Sequence, residues 1–167
     1  MLTSEEWRFA IEDARTRHAG MLELVAATDQ QAMSLISLYV TLGLATASGF
    51  VASIAHDGAI PDVLTFPLLG ATIMFVLGTY NCFKTLETAR VNLPGRTADF
   101  WLWASSDKIT SVKAFQEYLT VLQSKHALND SLNLNCALSV RKARQYGLAA
   151  PVVAVAIGIA IEGLKLI

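Results

Sequence analysis

Charge is scarce in this 167-residue chain: Asp, Glu, Lys and Arg make up 16% of it, while 53% is hydrophobic. Soluble domains carry about 25% charged residues. The deficit argues against an ordinary soluble enzyme, and the apolar excess argues against a disordered tail. The charges also nearly cancel, 13 basic against 14 acidic, for a net charge of −1. No overall basic excess exists to hold a nucleic-acid backbone, so nucleic acid is not an expected partner. The two cysteines, Cys82 and Cys136, lie far apart and form no C-x-x-C pair, which supports neither a disulfide scaffold nor a zinc knuckle. His18, His56 and His126 are scattered and make no H-E-x-x-H. There is no Ser-His-Asp arrangement, no carboxylate pair in a catalytic context and no phosphate loop. The expectation is a protein that is not an enzyme and has no catalytic residue, metal site or bound cofactor. Internal repeats and low-complexity tracts are absent too.

The missing charge is missing from particular places. Residues 30–56, 63–83 and 145–161 contain no Asp, Glu, Lys or Arg, and these windows hold 27, 21 and 17 residues. Crossing about 30 Å of hydrocarbon at about 1.5 Å per residue takes roughly 17–25 apolar residues. The third window is at the short limit and also fits a buried soluble helix, although Val152–Ile161 is almost purely aliphatic. None has the form of a signal peptide, since the first run begins near residue 30 behind an acidic amphipathic stretch. Twelve of the thirteen basic residues fall in 1–29 and 84–144, none in 56–62, and only Lys165 follows the last window. The positive-inside rule then puts the N-terminus in the cytoplasm and the C-terminus outside.

The expected fold is an all-α membrane protein: three transmembrane helices with a cytoplasmic bundle of long helical extensions. Its parts are a cytoplasmic amphipathic helix at 1–30, spans at 31–55, 63–83 and 145–162, a periplasmic loop at 56–62, a cytoplasmic helical region at 84–144 and a periplasmic tail at 163–167. Thr3 and Glu6 fit a capping box. Trp7, Ile11, Ala14, His18, Met21 and Val25 follow a heptad seam, and nothing interrupts one helix from about residue 4 to about residue 55. After the second span the helical pattern continues to Leu93, where Pro94-Gly95 stops it, and 96–104 reads as a linker. Ser106 with Asp107 suits the start of the next helix. Its seam runs through Val112, Phe115, Leu119 and Leu122, turns polar at His126, Asn129 and Asn133, and resumes at Cys136, Val140 and Ala143. Residues 1–29 carry a net −3 and 84–144 a net +4, which favours their association.

Several features carry two readings each. Ser37, Thr41, Ala45, Gly49 and Ser53 recur every four residues on the first span, as close helix packing needs, either between copies of the chain or among its own spans. Gly70, Gly78, Ala154 and Gly158 suit the same role. Trp101 and Trp103 fit an interfacial belt or a plug in the bundle. Pro67 is a kink or is tolerated near the outer end of its span. Arg141, Lys142 and Arg144 are a topology anchor or a phosphate site. His126, Asn129, Asn133 and Asn135 set helix register or meet a nucleotide base edge. The spans lack the midplane ionisable groups of pumps and ion-coupled transporters.

The layout resembles the small transmembrane effectors of bacterial Pycsar anti-phage systems. The resemblance runs from about residue 7 to about residue 160. It rests on Asp29 just before the first span, Leu93-Pro94-Gly95-Arg96 after the second, Phe100 and Trp101, Glu117-Tyr118-Leu119, and Asn135 with Lys142 seven residues on. Where the family often has Asp-x-Lys, this chain has Gln31. The resemblance implies an inner-membrane homo-oligomer that senses a cyclic pyrimidine mononucleotide, cUMP or cCMP, as its activating ligand. Binding would disrupt the membrane and abort infection. Expected ligand contacts are Arg96, Asn133, Asn135, Lys142 and Arg144. The alternatives are a constitutive membrane scaffold or anchoring subunit, or a small channel component.

Overall fold

The computed structural model describes residues 3–55, 62–87, 91–93 and 95–165. These form four helices and no strand: α1 (Ser4–Ala55), α2 (Asp62–Leu86), α3 (Ala98–Ala104) and α4 (Ser111–Lys165). Three of them, α1, α2 and α4, are long and apolar enough to cross a membrane. The loop expected at 56–62 lies, apart from Asp62, outside the described residues, as does Pro94.

The start of α1 obeys the capping-box expectation. The Thr3 amide donates to Glu6 Oε2 at 2.6 Å and the Glu6 amide donates back to Thr3 Oγ1 at 3.3 Å. The bond from the Thr3 amide first, and a second from Thr3 Oγ1 to the same Glu6 oxygen at 2.9 Å, hold the Glu6 carboxyl below its ordinary range. From there α1 runs unbroken to Ala55, as the pattern requires.

Three boundaries differ from expectation. Helix α2 ends at Leu86 rather than near Leu93, and residues 91–93 are non-helical because a buried side chain captures the backbone of Asn92, as described below. The expected linker at 96–104 contains the short helix α3. Helix α4 starts at Ser111 rather than after Ser106. The Ile109 amide closes a turn onto the Ser106 carbonyl at 3.0 Å, and the Lys113 amide reaches Thr110 Oγ1 at 3.4 Å, so Thr110 is the capping residue. Beyond that, α4 passes through Gly147 and Pro151 without a break.

The chain divides into two compact units. One comprises Met1–Ala27 and Thr88–Asn135, the other Thr28–Glu87 and Cys136–Ile167. In the first, the α1 seam packs on α4: Phe100, Tyr118 and Leu122 form a buried cluster flanked by Ile11, Ala14 and Leu119. The Trp7 and Phe115 rings stack at 5.9 Å. Val112, placed on the seam by its spacing, is exposed, and Tyr118 is buried instead, its hydroxyl accepting from Arg15 Nε at 2.7 Å. Phe100 is the aromatic plug, while Trp101 and Trp103 stay partly exposed around it.

In the second unit, Ala32, Tyr39, Phe75, Cys82, Val140 and Ala143 belong to one core cluster. Tyr39 organises it. Its hydroxyl donates to the Ala143 carbonyl at 3.0 Å, and a Cβ added at Gly78 would sit 2.9 Å from its ring. A Cβ at Gly147 would meet the same ring and its hydroxyl, so both glycines are required by close approach. Of the small residues on α1, Ser53 is buried and Gly49 lies against Leu68, whereas Ser37, Thr41 and Ala45 face outward. Only 6% of the most apolar stretch of α4 is buried within the chain. Leu44, Val51, Ile73, Val76, Val155 and Ile159 are each more than half exposed, a surface suited to hydrocarbon.

Candidate ligand-binding site

The polar part of the α4 seam lies in the first unit, where helical spacing turns Asn129 toward the His18 side of α1. His18 and Asn129 are both fully buried. Asn129 grips one residue by both ends of its amide: Oδ1 accepts from the Asn92 amide at 3.0 Å, and Nδ2 donates to the Asn92 carbonyl at 2.9 Å. This is a side-chain imitation of strand pairing, and it holds residues 91–93 out of a helix. His18 Nε2 lies 2.7 Å from the same carbonyl. A carbonyl can only accept, so Nε2 carries the proton in this arrangement. The 3.3 Å approach of Asn129 Nδ2 to Nε2 is then a contact between two donors that share one acceptor. Lys125 adds a second clamp, donating from Nζ to the Leu93 and Gly95 carbonyls at 3.0 and 3.1 Å. Gly95 has φ +104°, where a side chain would be strained.

Beside this network the unit has an open cleft of about 890 Å³. Its polar groups are Arg17 from α1 and Gln123, His126 and Asp130 from α4, set above Met21 and Leu122. The His126 and His18 rings are 6.1 Å apart. Among the described residues no carboxylate lies within 4.0 Å of the Arg17 guanidinium. Four buried side-chain atoms lack a hydrogen-bond partner among the described residues: Trp7 Nε1, His18 Nδ1, Arg96 Nε and Asn133 Oδ1. All four belong to this unit. Buried polar groups are nearly always satisfied, so these four atoms are the ones in the unit with bonding capacity to spare.

The five expected ligand contacts divide between the units. Arg96, Asn133 and Asn135 belong to the first. The Arg96 guanidinium lies 4.4 Å above the Phe100 ring and 3.5 Å from Glu117 Oε1, so its charge is already met. Asn133 is partly buried and Asn135 exposed. Lys142 and Arg144 belong to the second unit, both exposed, and Arg144 Nη2 donates to Gln31 Oε1 at 2.9 Å. Gln31 stands where the resembling family often carries Lys, and a lysine there would put two cations side by side. Arg17 and Gln123 escaped sequence reasoning because each sits one position off the apolar seam. Their adjacency to His18 and Leu122 is the signal that points to them.

No group of three or more metal-ligating side chains occurs among the described residues. The chain matches no protein-family model, no curated protein and no solved structure.

Proposed function

We propose that this chain is a ligand-gated membrane effector. It spans the bacterial inner membrane three times with its N-terminus in the cytoplasm, self-associates, and disrupts the membrane when the first unit binds cUMP or cCMP. Growth of an infected cell then stops before phage mature. The observation that carries the reading is the cleft that joins Arg17, Gln123, His126 and Asp130 beside an over-determined buried polar network. A cyclic mononucleotide has one phosphate charge, a ribose hydroxyl and a small base. Arg17 suits the phosphate by its fork of donors. Asp130 accepts from an imide N–H, an exocyclic amine or the ribose hydroxyl, Gln123 both donates and accepts, and the apolar floor takes the base. This assignment moves the phosphate contact from Arg96, Lys142 and Arg144 to Arg17, with Asn133 Oδ1 left as a further acceptor.

The ligand shifts the protein only by favouring one packing of α1 on α4 over another. Both helices continue unbroken from the first unit into the apolar unit, which provides a route for that change. Outward-facing Ser37, Thr41 and Ala45 offer a close-packing face for a second copy. Twelve basic residues on one side of the spans support the orientation.

Calorimetry on the purified full chain in detergent tests the reading, with cUMP, cCMP, cAMP and cGMP. One pyrimidine nucleotide should bind, Arg17→Ala should weaken it about tenfold or more, and liposomes carrying the protein should leak dye only with that nucleotide. A folded sample that binds neither cUMP nor cCMP refutes the sensor, and leakage independent of nucleotide refutes the gating.

A further inference from the structure

The second unit contains a groove with a different chemistry. It has a volume of about 760 Å³ and is walled by apolar side chains including Leu38, Leu42, Phe75, Leu148 and Pro151. The hydroxyls that touch it are already engaged within the protein: Tyr39 donates to the Ala143 carbonyl, and Thr46 is bonded to Thr72 and to its own helix. Arg144 is the one charged residue on its wall. From Arg144 to Ala154 the groove follows α4 for ten residues, about 15 Å at the helical rise. That is the depth of one leaflet of a hydrocarbon core about 30 Å thick.

A second, smaller cavity of about 290 Å³ shares Arg144 and Leu148 with the groove and is lined in addition by Thr28, Gln31, Arg141 and Gln145. No carboxylate lines either cavity. Nor does one lie within 4.0 Å of Arg144 or Arg141 among the described residues. An apolar slot one leaflet deep therefore borders, at its charged end, a polar cleft with two guanidinium groups that no carboxylate meets among the described residues, Arg144 being bonded only to the neutral Gln31 amide.

The geometry points to an anionic glycerophospholipid as the occupant, one molecule per chain, with an acyl chain in the groove and its phosphate on Arg144 and Arg141. Charge complementarity selects the anionic class, because the guanidinium fork matches phosphate oxygens and no protein anion competes. Basic pockets between spanning helices on the cytoplasmic side bind anionic headgroups by the same logic. The site rests on the membrane reading above and is independent of nucleotide sensing. Because the lipid fills space bordered by α1, α2 and α4, its occupancy is linked to the packing of the spans.

Native mass spectrometry of the full chain in detergent, titrated with dioleoylphosphatidylglycerol or dioleoylphosphatidylcholine, tests the site. One phosphatidylglycerol per chain should be retained, and Arg144→Gln should lower the preference for it over phosphatidylcholine about fivefold, the contribution of one basic group against an anionic lipid. Leu148→Trp keeps both arginines, starts from a side chain 76% exposed, and should abolish the adduct by filling the mouth. Equal retention of the two lipids, an adduct unmoved by both variants, or displacement of the lipid by millimolar inorganic phosphate would each overturn the proposal. Alkaline extraction of expressing cells separates this from failure of the membrane reading. Release of the protein into the soluble fraction sinks that reading, whereas retention without lipid preference sinks the groove alone.

Discussion

Asn129→Ala removes the side chain on which the return segment after α2 depends, and its cost follows from the hydrogen bonds it makes. The Asn92 carbonyl keeps a donor in His18 Nε2 at 2.7 Å, so it is not orphaned. The Asn92 amide is different, because the Asn129 Oδ1 bond at 3.0 Å is its partner and the site is secluded. Leaving such a donor unsatisfied costs about 1–3 kcal/mol, and the lost bond to the carbonyl adds about 1 kcal/mol, giving about 2–4 kcal/mol for local opening. At about 1.4 kcal/mol per decade this is an increase of about 30- to 1,000-fold in the exchange rate of the Asn92 amide. Native-state hydrogen exchange on the full chain in detergent, read on peptides covering 91–93, measures it directly. His18→Phe is the companion variant: it removes the Nε2 donor but leaves the Asn92 amide bonded, so that amide should lose less than about tenfold. Unprotected exchange of Asn92 in the wild type, or equal rates in Asn129→Ala and wild type, would refute the claim that Asn129 holds this segment.

Gly78→Ala and Gly147→Ala should each destabilise the second unit by about 1–3 kcal/mol in a denaturation series in mixed micelles, because the added Cβ meets the Tyr39 ring. Tyr39→Phe should restore part of the loss at Gly147, where the hydroxyl is among the atoms met, and less at Gly78. Burial first, and Asp29 second, hold the Cys136 thiol above its ordinary range. Its thiolate is therefore scarcer than that of free cysteine, so alkylation by iodoacetamide at pH 8 should run slower than on a free thiol and faster in Asp29→Asn. The linked stability is complete below the unfolded pKa and falls as pH rises through the raised folded value. Phe100→Ala should cost about 3–5 kcal/mol in the first unit by emptying its aromatic cluster. Glu117→Ala, at a half-exposed ion pair with Arg96, should cost under about 1 kcal/mol in the same melt.

Long-range order of the helices was readable in advance because it follows from local patterns. The extent of α1, from about residue 4 to about residue 55, was legible, since the capping box at Thr3 is a short-range device and nothing breaks the pattern up to Ala55. The inward turn of His18 and Asn129 was legible from seam spacing alone. The non-helical course of residues 91–93 was not, because Asn92 is held by a partner 37 residues away in the chain, and no local propensity encodes that Asn129 will take its backbone. The start of α4 was misplaced for a smaller reason: Ser106 and Thr110 are both competent caps, and a turn consumed the first. Arg17 escaped notice because a cation beside a seam looks like any solvated charge until the opposite helix brings Gln123, His126 and Asp130 to face it.

Sparse charge and its uneven spacing were enough to mark three membrane-length helices and the stretches of sequence between them in which the basic residues gather. These depend only on how many consecutive residues water would reject and where the cations interrupt them. Packing decided the rest. It committed Tyr39 to Gly78 and Gly147, and it left Ser37, Thr41 and Ala45 facing outward. It closed the Asn129–Asn92 pairing and set Arg144 where an apolar groove meets a polar cleft. Each of these joins residues far apart in sequence through contacts whose energies depend on distance and burial, quantities that a linear pattern does not contain.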